Sequence, residues 1–261
     1  MHRYNQGMTD RLTYIGHATV LIELDGARLL TDPLLRHRIA HLRRRRPYPT
    51  FDNLTPLDAI LLSHHHRDHL DIPSLKKLGR DIRLIGPTGT AEMLKGYGFS
   101  HIEEISVGQK TAVGPLTIDA VLADHISQRT PMGARTECVG FVIHGRATAI
   151  YFAGDTDLYP EMAALHPDIA LLPVWGWGPT LGDGHMDPET AARACALIQP
   201  KMAIPIHWGA FHPIGFGWLN PVFLTLPPIT FADRTAALAP DVLVQVLPPG
   251  NSLELDEQVS R

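Results

Sequence analysis

The chain has 261 residues, of which 44% are hydrophobic, and this is enough for a sizeable core. Its formal net charge of -4 argues against a general nucleic-acid binder, because affinity for phosphate backbones comes mainly from clustered cations. Two cysteines are too few for a disulfide framework, and the start lacks the apolar core of a signal peptide. We therefore expect a reduced, cytoplasmic protein without a transmembrane segment.

The predicted elements alternate strands with short helices, after a leader at residues 1–10 that we predict to be flexible. Asp25-Gly26 predicts a tight hairpin between the second and third strands. The predicted strands are 12–15, 20–24, 27–31, 57–62, 83–86, 102–105, 111–113, 116–122, 137–143, 147–152, 169–173, 202–205, 242–246 and 253–255. The predicted helices are 72–78, 88–97, 188–198 and 231–238. No linker divides residues 11–261, which we predict to form one domain.

Six arginines lie in a short segment at residues 36–46, among apolar residues with the spacing of a basic amphipathic segment. One interpretation is a solvated face. The other is that the arginines attract an anionic substrate or a lipid headgroup to the site.

The most informative stretch is residues 63–71, here called the histidine loop, with the sequence Ser-His-His-His-Arg-Asp-His-Leu-Asp. His64 and His66 share one side of an extended segment, whereas Asp68 and His69 point elsewhere as the chain turns. The loop thus offers a pair of donors to each of two nearby metal ions, which is more than a single tetrahedral ion needs. Three later strand ends supply further potential ligands, in the stretches 124–127, 154–157 and 206–209.

These residues resemble the motifs of the metallo-β-lactamase-fold hydrolases, whose His-x-His-x-Asp-His sequence matches residues 64–69. Segments 16–20, 30–33, 153–156, 185–189 and 205–209 are similar to one branch, that of the L-ascorbate-6-phosphate lactonase and the N-acyl phosphatidylethanolamine phospholipase D. The resemblance covers nearly the whole chain and implies an α/β protein with a four-layer αβ/βα sandwich in a single domain. It also implies two metal sites with a shared ligand: His64, His66 and His125 at the first, Asp68, His69 and His207 at the second, and Asp155 between them.

Imidazoles and carboxylates suit zinc, manganese or iron, and we expect two divalent ions, with zinc first. The resemblance implies a hydrolase that presents a metal-bridging hydroxide to an ester, lactone or phosphodiester in a small or lipid-like, possibly phosphorylated, substrate. Asp68, as a ligand, and His185, as a proton donor, are the predicted catalytic residues. Relatives in this branch are often oligomeric, which suggests a homo-oligomer. An alternative on the same fold is an iron-dependent oxidoreductase of the sulfur dioxygenase type, although that chemistry needs fewer protein donors.

Aromatic residues gather around His207, and we predict that they wall the substrate pocket: Trp175, Trp177, Trp208 and Phe211, with Phe216 and Trp218 nearby. Other polar residues have expected roles of their own. His65 and Arg67 should face away from the metals, and His17 is either a turn residue or a support for a ligand. Asp32 is predicted to cap a turn and Asp71 to buttress a ligand histidine.

Overall fold

The computed structural model describes residues 9–45, 53–127, 135–215 and 222–255. The strands in these ranges are β1 (Arg11–Gly16), β2 (Thr19–Leu24), β3 (Ala27–Thr31), β4 (Arg38–Ile39), β5 (Leu42–Arg44), β6 (Ala59–Leu61), β7 (Arg83–Gly86), β8 (Ile102–Glu104), β9 (Lys110–Val113), β10 (Leu116–Leu122), β11 (Val139–His144), β12 (Ala149–Phe152), β13 (Ile169–Pro173), β14 (Met202–Ile206), β15 (Phe211–Pro213), β16 (Leu243–Val244) and β17 (Asn251–Glu254). The α-helices are α1 (Ile72–Leu78), α2 (Thr90–Met93), α3 (Pro188–Ile198) and α4 (Leu226–Leu238), and short 3₁₀ helices span Pro160–Ala164 and Val222–Leu224.

Two mixed sheets of seven strands each form the body of the molecule. The first has the strand order β17-β1-β2-β3-β6-β7-β8, and the second has β16-β14-β13-β12-β11-β10-β9. In both sheets an antiparallel part adjoins a parallel part, which runs from β3 to β8 in the first and from β12 to β16 in the second. A small third sheet has the order β15-β5-β4.

Alternating side chains of the first sheet belong to two different cores. Ile22 and Leu29 join the large core shared with the second sheet, whereas Leu21 and Leu30 join a core with α1. On the far side, α3 packs against α4 and contacts β13. The two sheets therefore lie face to face with helices outside, which confirms the predicted single-domain α/β sandwich.

The element boundaries differ from the predictions where sequence periodicity is weak. Helix α4 begins at Leu226 rather than at 231, because its two prolines occupy the first turn, where backbone N–H groups have no partner inside the helix. Helix α2 covers only four of the ten residues predicted as helical. The strands β4, β5 and β15 were not predicted, since runs of two or three residues are too short to show a period.

The basic segment is not amphipathic in the predicted sense. Its described part contains the antiparallel pair β4 and β5, which continues into β15. Arg44 is only 2% exposed, and its guanidinium donates to the carbonyl oxygens of Ile15, Leu34 and Arg36. The solvated-face interpretation is therefore wrong for Arg44, because this charge is used inside the fold. Arg46 lies outside the described residues.

Most of the predicted leader, residues 1–8, lies outside the described residues. Asp10, at its end, accepts hydrogen bonds from the backbone N–H groups of Asp25 and Leu255. Among the helices that are described, none combines the length and the apolar character that a membrane crossing requires.

Candidate metal centre

The candidate ligands follow the ends of strands that lie side by side. In the first sheet, β6 leads into the histidine loop, and its parallel neighbour β3 ends next to Asp32. In the second sheet, His125, Asp155 and His207 follow β10, β12 and β14. The fold therefore brings together all seven predicted ligands, which are spread over more than half of the chain.

Three imidazoles form the first cluster. His64 Nε2 and His125 Nε2 lie 3.0 Å and 3.1 Å from His66 Nδ1. One ring nitrogen carries at most one hydrogen, so it cannot donate to both neighbours, and facing lone pairs repel unless a cation lies among them. Nitrogens about 3.3 Å apart are expected around a tetrahedral ion with bonds near 2.0 Å. The three atoms thus fit a metal site.

The second cluster contains Asp68, His69 and His207, as predicted, together with His17. His69 Nε2 lies 3.3 Å from His207 Nε2 and 4.0 Å from Asp68 Oδ2. His17 donates from Nε2 to Asp68 Oδ2 at 3.1 Å, and its ring centroid lies 3.9 Å from that of His207. Of the two interpretations of His17, the geometry matches support of a candidate ligand.

Asp155 lies between the two clusters. Its Oδ2 is 3.0 Å from His69 Nε2 and 3.9 Å from His64 Nε2, and its Oδ1 is 3.2 Å from His207 Nε2. The Oδ1 atom is buried without a hydrogen-bond partner. A buried carboxylate oxygen is rarely left without a partner in a folded protein, and a bridging position between two cations would satisfy it.

Hydrogen bonds behind the clusters select the form of each histidine. The backbone carbonyls of Gly184 and Trp175 accept from Nδ1 of His125 and His207, at 2.8 Å and 2.6 Å. His69 Nδ1 donates to Asp32 Oδ2 at 2.7 Å. With hydrogen on Nδ1, the rings of His125 and His207 present the lone pair of Nε2 to the centre, which is the form that binds a metal, and His69 takes this form once its Nε2 proton is lost.

Asp32 has a larger role than the predicted turn cap. Its carboxylate is fully buried and accepts from the Ser63 hydroxyl at 2.5 Å and from the Ser63 N–H at 2.8 Å, besides His69. Because the Ser63 hydrogen goes to Asp32, its oxygen is left to accept from His64 Nδ1 at 2.9 Å. One acid thus orients a candidate ligand in each cluster. Its position at the end of the strand beside β6 was the signal that could have revealed this role.

Two glycines allow loops to approach the centre closely. Gly154 has a φ of +64°, and a Cβ there would lie 2.6 Å from Ser63 Cβ. Gly184 has a φ of +74°, and a Cβ there would lie 3.0 Å from His125 Nδ1. Both positions need a residue without a side chain, because the backbone is left-handed and the neighbours are in the way.

The protonation of the centre follows from burial and from Asp155. Burial, reinforced by neighbouring imidazoles, lowers the pKa of His66 to about 4 and that of His64 well below its usual value. Burial also lowers the pKa of His207 to about 3, although Asp155 opposes it. These imidazoles are neutral at pH 7 and need lose no proton before they bind a metal. Burial opposes a charge on His69, but Asp155 and Asp32 together raise its pKa well above the usual value.

His185 lies at the open side of the centre. Its Nε2 is 3.4 Å from Asp155 Oδ2, and its Nδ1 donates to the carbonyl of Asp183 at 3.0 Å. Burial opposes its charge, yet the hydrogen bond and the charge of Asp155 raise its pKa to about 9. Its side chain is 22% exposed, so it contacts both the centre and the solvent.

The aromatic residues divide into two groups. Trp175 and Trp177 are half-buried in the loop after β13, and the Trp175 carbonyl holds His207. Trp208 and Phe211 are only 8% and 1% exposed and pack into the cores, so the prediction that they wall a pocket does not match their burial. Phe216 and Trp218 lie outside the described residues.

The remaining loop residues also differ in part from expectation. His65 faces away from the clusters, as predicted, and its Nε2 lies 2.9 Å from the hydroxyl of Thr90. Asp71 buttresses no histidine: it caps α1 by accepting from the backbone N–H of Ser74, and it binds Arg36 through both oxygens at 2.9 Å and 2.6 Å.

Comparisons with known proteins agree with this geometry. Residues 27–208 match the protein family described as the beta-lactamase superfamily domain. A metal-dependent hydrolase of Methanopyrus kandleri is 34% identical over 253 residues, which cover 94% of this chain and 99% of that protein. The N-acyl-phosphatidylethanolamine-hydrolyzing phospholipase D 1 of Caenorhabditis elegans is 29% identical over 230 residues, and the match spans 78% of this chain and 64% of that enzyme. The solved structure of Igni18, a metallo hydrolase from Ignicoccus hospitalis, has the same fold, with a TM-score of 0.73 at 23% identity over 95% of this chain and 99% of its own.

Proposed function

The chain belongs to the beta-lactamase superfamily and is one of its metal-dependent hydrolases, and from this premise we propose that it uses two divalent metal ions to cleave a phosphodiester. The observation that carries the proposal is the pair of donor clusters that share Asp155. Two-metal sites are suited to phosphodiesters because they stabilise both the attacking and the leaving oxygen of an in-line displacement. The similarity to a phospholipase D supports the same substrate class.

In this proposal His64, His66 and His125 would hold one ion, Asp68, His69 and His207 would hold the other, and Asp155 would be available to both. Zinc suits the imidazole-rich donor set best, and manganese or iron remains compatible with it. When bound, the pair lowers the pKa of a water molecule towards about 7 and polarises the attacked bond. The protein keeps the donors in place through Asp32, Ser63 and the two backbone carbonyls described above.

His185 is the proposed proton donor to the leaving group. Its Nδ1 hydrogen is held by backbone carbonyls, so Nε2, which faces the centre, is the nitrogen that can exchange a proton. Burial opposes a charge on this ring, whereas the hydrogen bond and the charge of Asp155 favour its acid form. Trp175 lies in the loop between β13 and α3 that also carries His185, and its carbonyl accepts from His207.

The test of the substrate class compares a generic phosphodiester, such as bis(p-nitrophenyl) phosphate, with a generic lactone and a p-nitrophenyl ester, before and after removal of metal by a chelator. We expect turnover of the phosphodiester, its loss on chelation, and its return with zinc or manganese. Turnover of only the lactone or the ester would show that the proposed substrate class is wrong, but it would leave the proposed metal centre unaffected. One iron per chain with oxygen consumption would instead favour the oxidoreductase alternative.

We expect His185→Gln to lower kcat by about 10²-fold or more, because general acid catalysis contributes typically 10² to 10⁴. An acid must be protonated to act, so the activity of the unmodified chain should fall as the pH rises through the pKa of His185. The variant should lose this basic limb of the pH profile and keep its metal content. An unchanged kcat with an unchanged pH profile would contradict the role of His185 as a proton donor.

A further inference from the structure

A cavity of about 550 Å³ lies beside the histidine loop, and its lining is rich in positive charge. Arg67, the exposed residue between His66 and Asp68, contributes to the wall from the loop itself. Arg36 and Lys76 line the same cavity. Hereafter this space is the Arg67 cavity. None of its cations is required for the metal-binding geometry of the centre.

Asp71, the acid among the described residues that line the cavity, is already neutralised. Asp71 receives two hydrogen bonds from Arg36, at 2.9 Å and 2.6 Å, and two more from Ser74, at 3.1 Å and 2.6 Å. Within the part of the chain that the structure describes, neither Arg67 nor Lys76 forms an ion pair with a carboxylate. Two cations therefore face one cavity without a carboxylate from the described residues.

An aromatic ring holds one of these cations in place. Lys76 Nζ lies 4.6 Å from the centre of the Tyr97 ring, a distance at which a cation is attracted to the face of the ring. Tyr97 is 39% exposed and lines the cavity, as do Ile72 and Pro73. The wall of the Arg67 cavity therefore has a cationic part, formed by Arg67, Arg36 and Lys76, and an apolar part, formed by Tyr97, Ile72 and Pro73.

We propose that the Arg67 cavity binds a phosphate group, as a second ligand site of this chain that is separate from the metal centre. A phosphate dianion matches two cations that have no carboxylate partner among the described residues, whereas a carboxylate supplies a single negative charge. The guanidinium of Arg67 offers paired donors for phosphate oxygens, and Lys76 supplies a compact positive charge. The face of Tyr97, with Ile72 and Pro73, suits the organic part of a phosphate monoester.

This inference does not depend on the reaction at the metal centre. A phosphate in the cavity would contact the histidine loop through Arg67, on a residue whose neighbours on both sides are candidate ligands. It would also lie against the Arg36–Asp71 pair that caps α1. The site is therefore placed to hold the start of α1 and the loop together when it is filled.

The experiment measures the binding of inorganic phosphate to the full chain by equilibrium dialysis, with the metal content determined in the same samples. We expect Arg67→Gln with Lys76→Gln to weaken phosphate binding at least tenfold. A matched control is Arg146→Gln with Lys95→Gln, which removes the same charge from two exposed positions outside the cavity. The control should bind phosphate within twofold of the unmodified chain, and Lys76→Arg should retain most of the binding.

Phosphate binding to the metal centre is removed by repeating the measurement on His64→Ala after treatment with a chelator, which strips any ion left in the second cluster. The proposal is supported if phosphate still binds to this variant and no longer binds once Arg67 and Lys76 are substituted. This result would hold even if the chain does not cleave phosphodiesters. Three results would overturn the proposal. The first is the absence of saturable binding up to about 10 mM phosphate, and the second is an equal loss of phosphate binding in the control variant with Arg146→Gln and Lys95→Gln. The third is phosphate binding that is lost in His64→Ala but kept in the variant with Arg67→Gln and Lys76→Gln.

Two sources of the phosphate group are separated by comparing inorganic phosphate with phenyl phosphate. Tighter binding of phenyl phosphate, lost again in Tyr97→Leu, supports a phosphorylated organic molecule as the occupant. Equal binding of the two, unaffected by Tyr97→Leu, supports the free ion. The proposal fails if phenyl phosphate binds tightly but is unaffected by the cavity substitutions.

Discussion

His64→Ala is expected to reduce kcat/KM by about 10³-fold or more. The metal ions of such a centre supply several kcal/mol of transition-state stabilisation, and about 4 kcal/mol corresponds to three orders of magnitude in rate. His64 is completely buried, and its Nε2 is one of three donor atoms in the first cluster. Without it, two imidazoles remain, which is a poor set for a tetrahedral ion.

The measurement combines turnover with metal analysis. If two ions are bound, the metal content should fall from about two per chain to about one in His64→Ala, and likewise in Asp68→Ala, which affects the second cluster. His101→Ala is a suitable control, because His101 is exposed and belongs to neither cluster. Circular dichroism and thermal unfolding should show that each variant remains folded. Full activity in His64→Ala or Asp68→Ala would refute the metal centre as the site of the reaction.

Arg44→Ala is expected to lower the free energy of unfolding by about 3 to 5 kcal/mol. The substitution leaves two buried backbone carbonyls and a partly buried one without this donor, and each unsatisfied buried group costs about 1 to 3 kcal/mol, although these costs are not additive. It also removes the contact between the guanidinium and the ring of Phe211, whose centre is 4.4 Å away. Burial lowers the pKa of Arg44 to about 10, so the residue remains charged at neutral pH.

Urea unfolding of Arg44→Ala and Arg43→Ala provides a matched comparison. The two arginines are neighbours on β5 and carry the same charge, but Arg43 is exposed. Arg43→Ala should change the free energy of unfolding by no more than about 0.5 kcal/mol. Similar effects of the two substitutions would mean that the charge of the basic segment matters, rather than the buried hydrogen bonds of Arg44.

The comparison of Arg43 with Arg44 shows that the local sequence does not predict which arginine of the run is buried. Both belong to the same run of cations, and nothing in the spacing of the run distinguishes them. The distinction arises because β5 pairs with β15, residues 211–213, and this directs Arg44 towards three carbonyls from two separate segments, one at residue 15 and the other at residues 34–36. Hydrogen bonds between distant segments leave no periodic pattern in the sequence.

The sequence by itself predicted the strands and helices and, through its resemblance to the metallo-β-lactamase-fold hydrolases, the sandwich and the set of candidate ligands. Apolar strands are recognised by their composition and period, and the candidate ligands directly follow strands whose ends meet at one edge. Only the tertiary structure decided what surrounds these ligands. Asp32 proved to be the buried acid that orients two histidines, and Asp71 proved to be a helix cap bound to Arg36. Trp208 proved to be a core residue. The physical reason is that such roles depend on which atom lies opposite a side chain, and that is set by the packing of segments far apart in the chain.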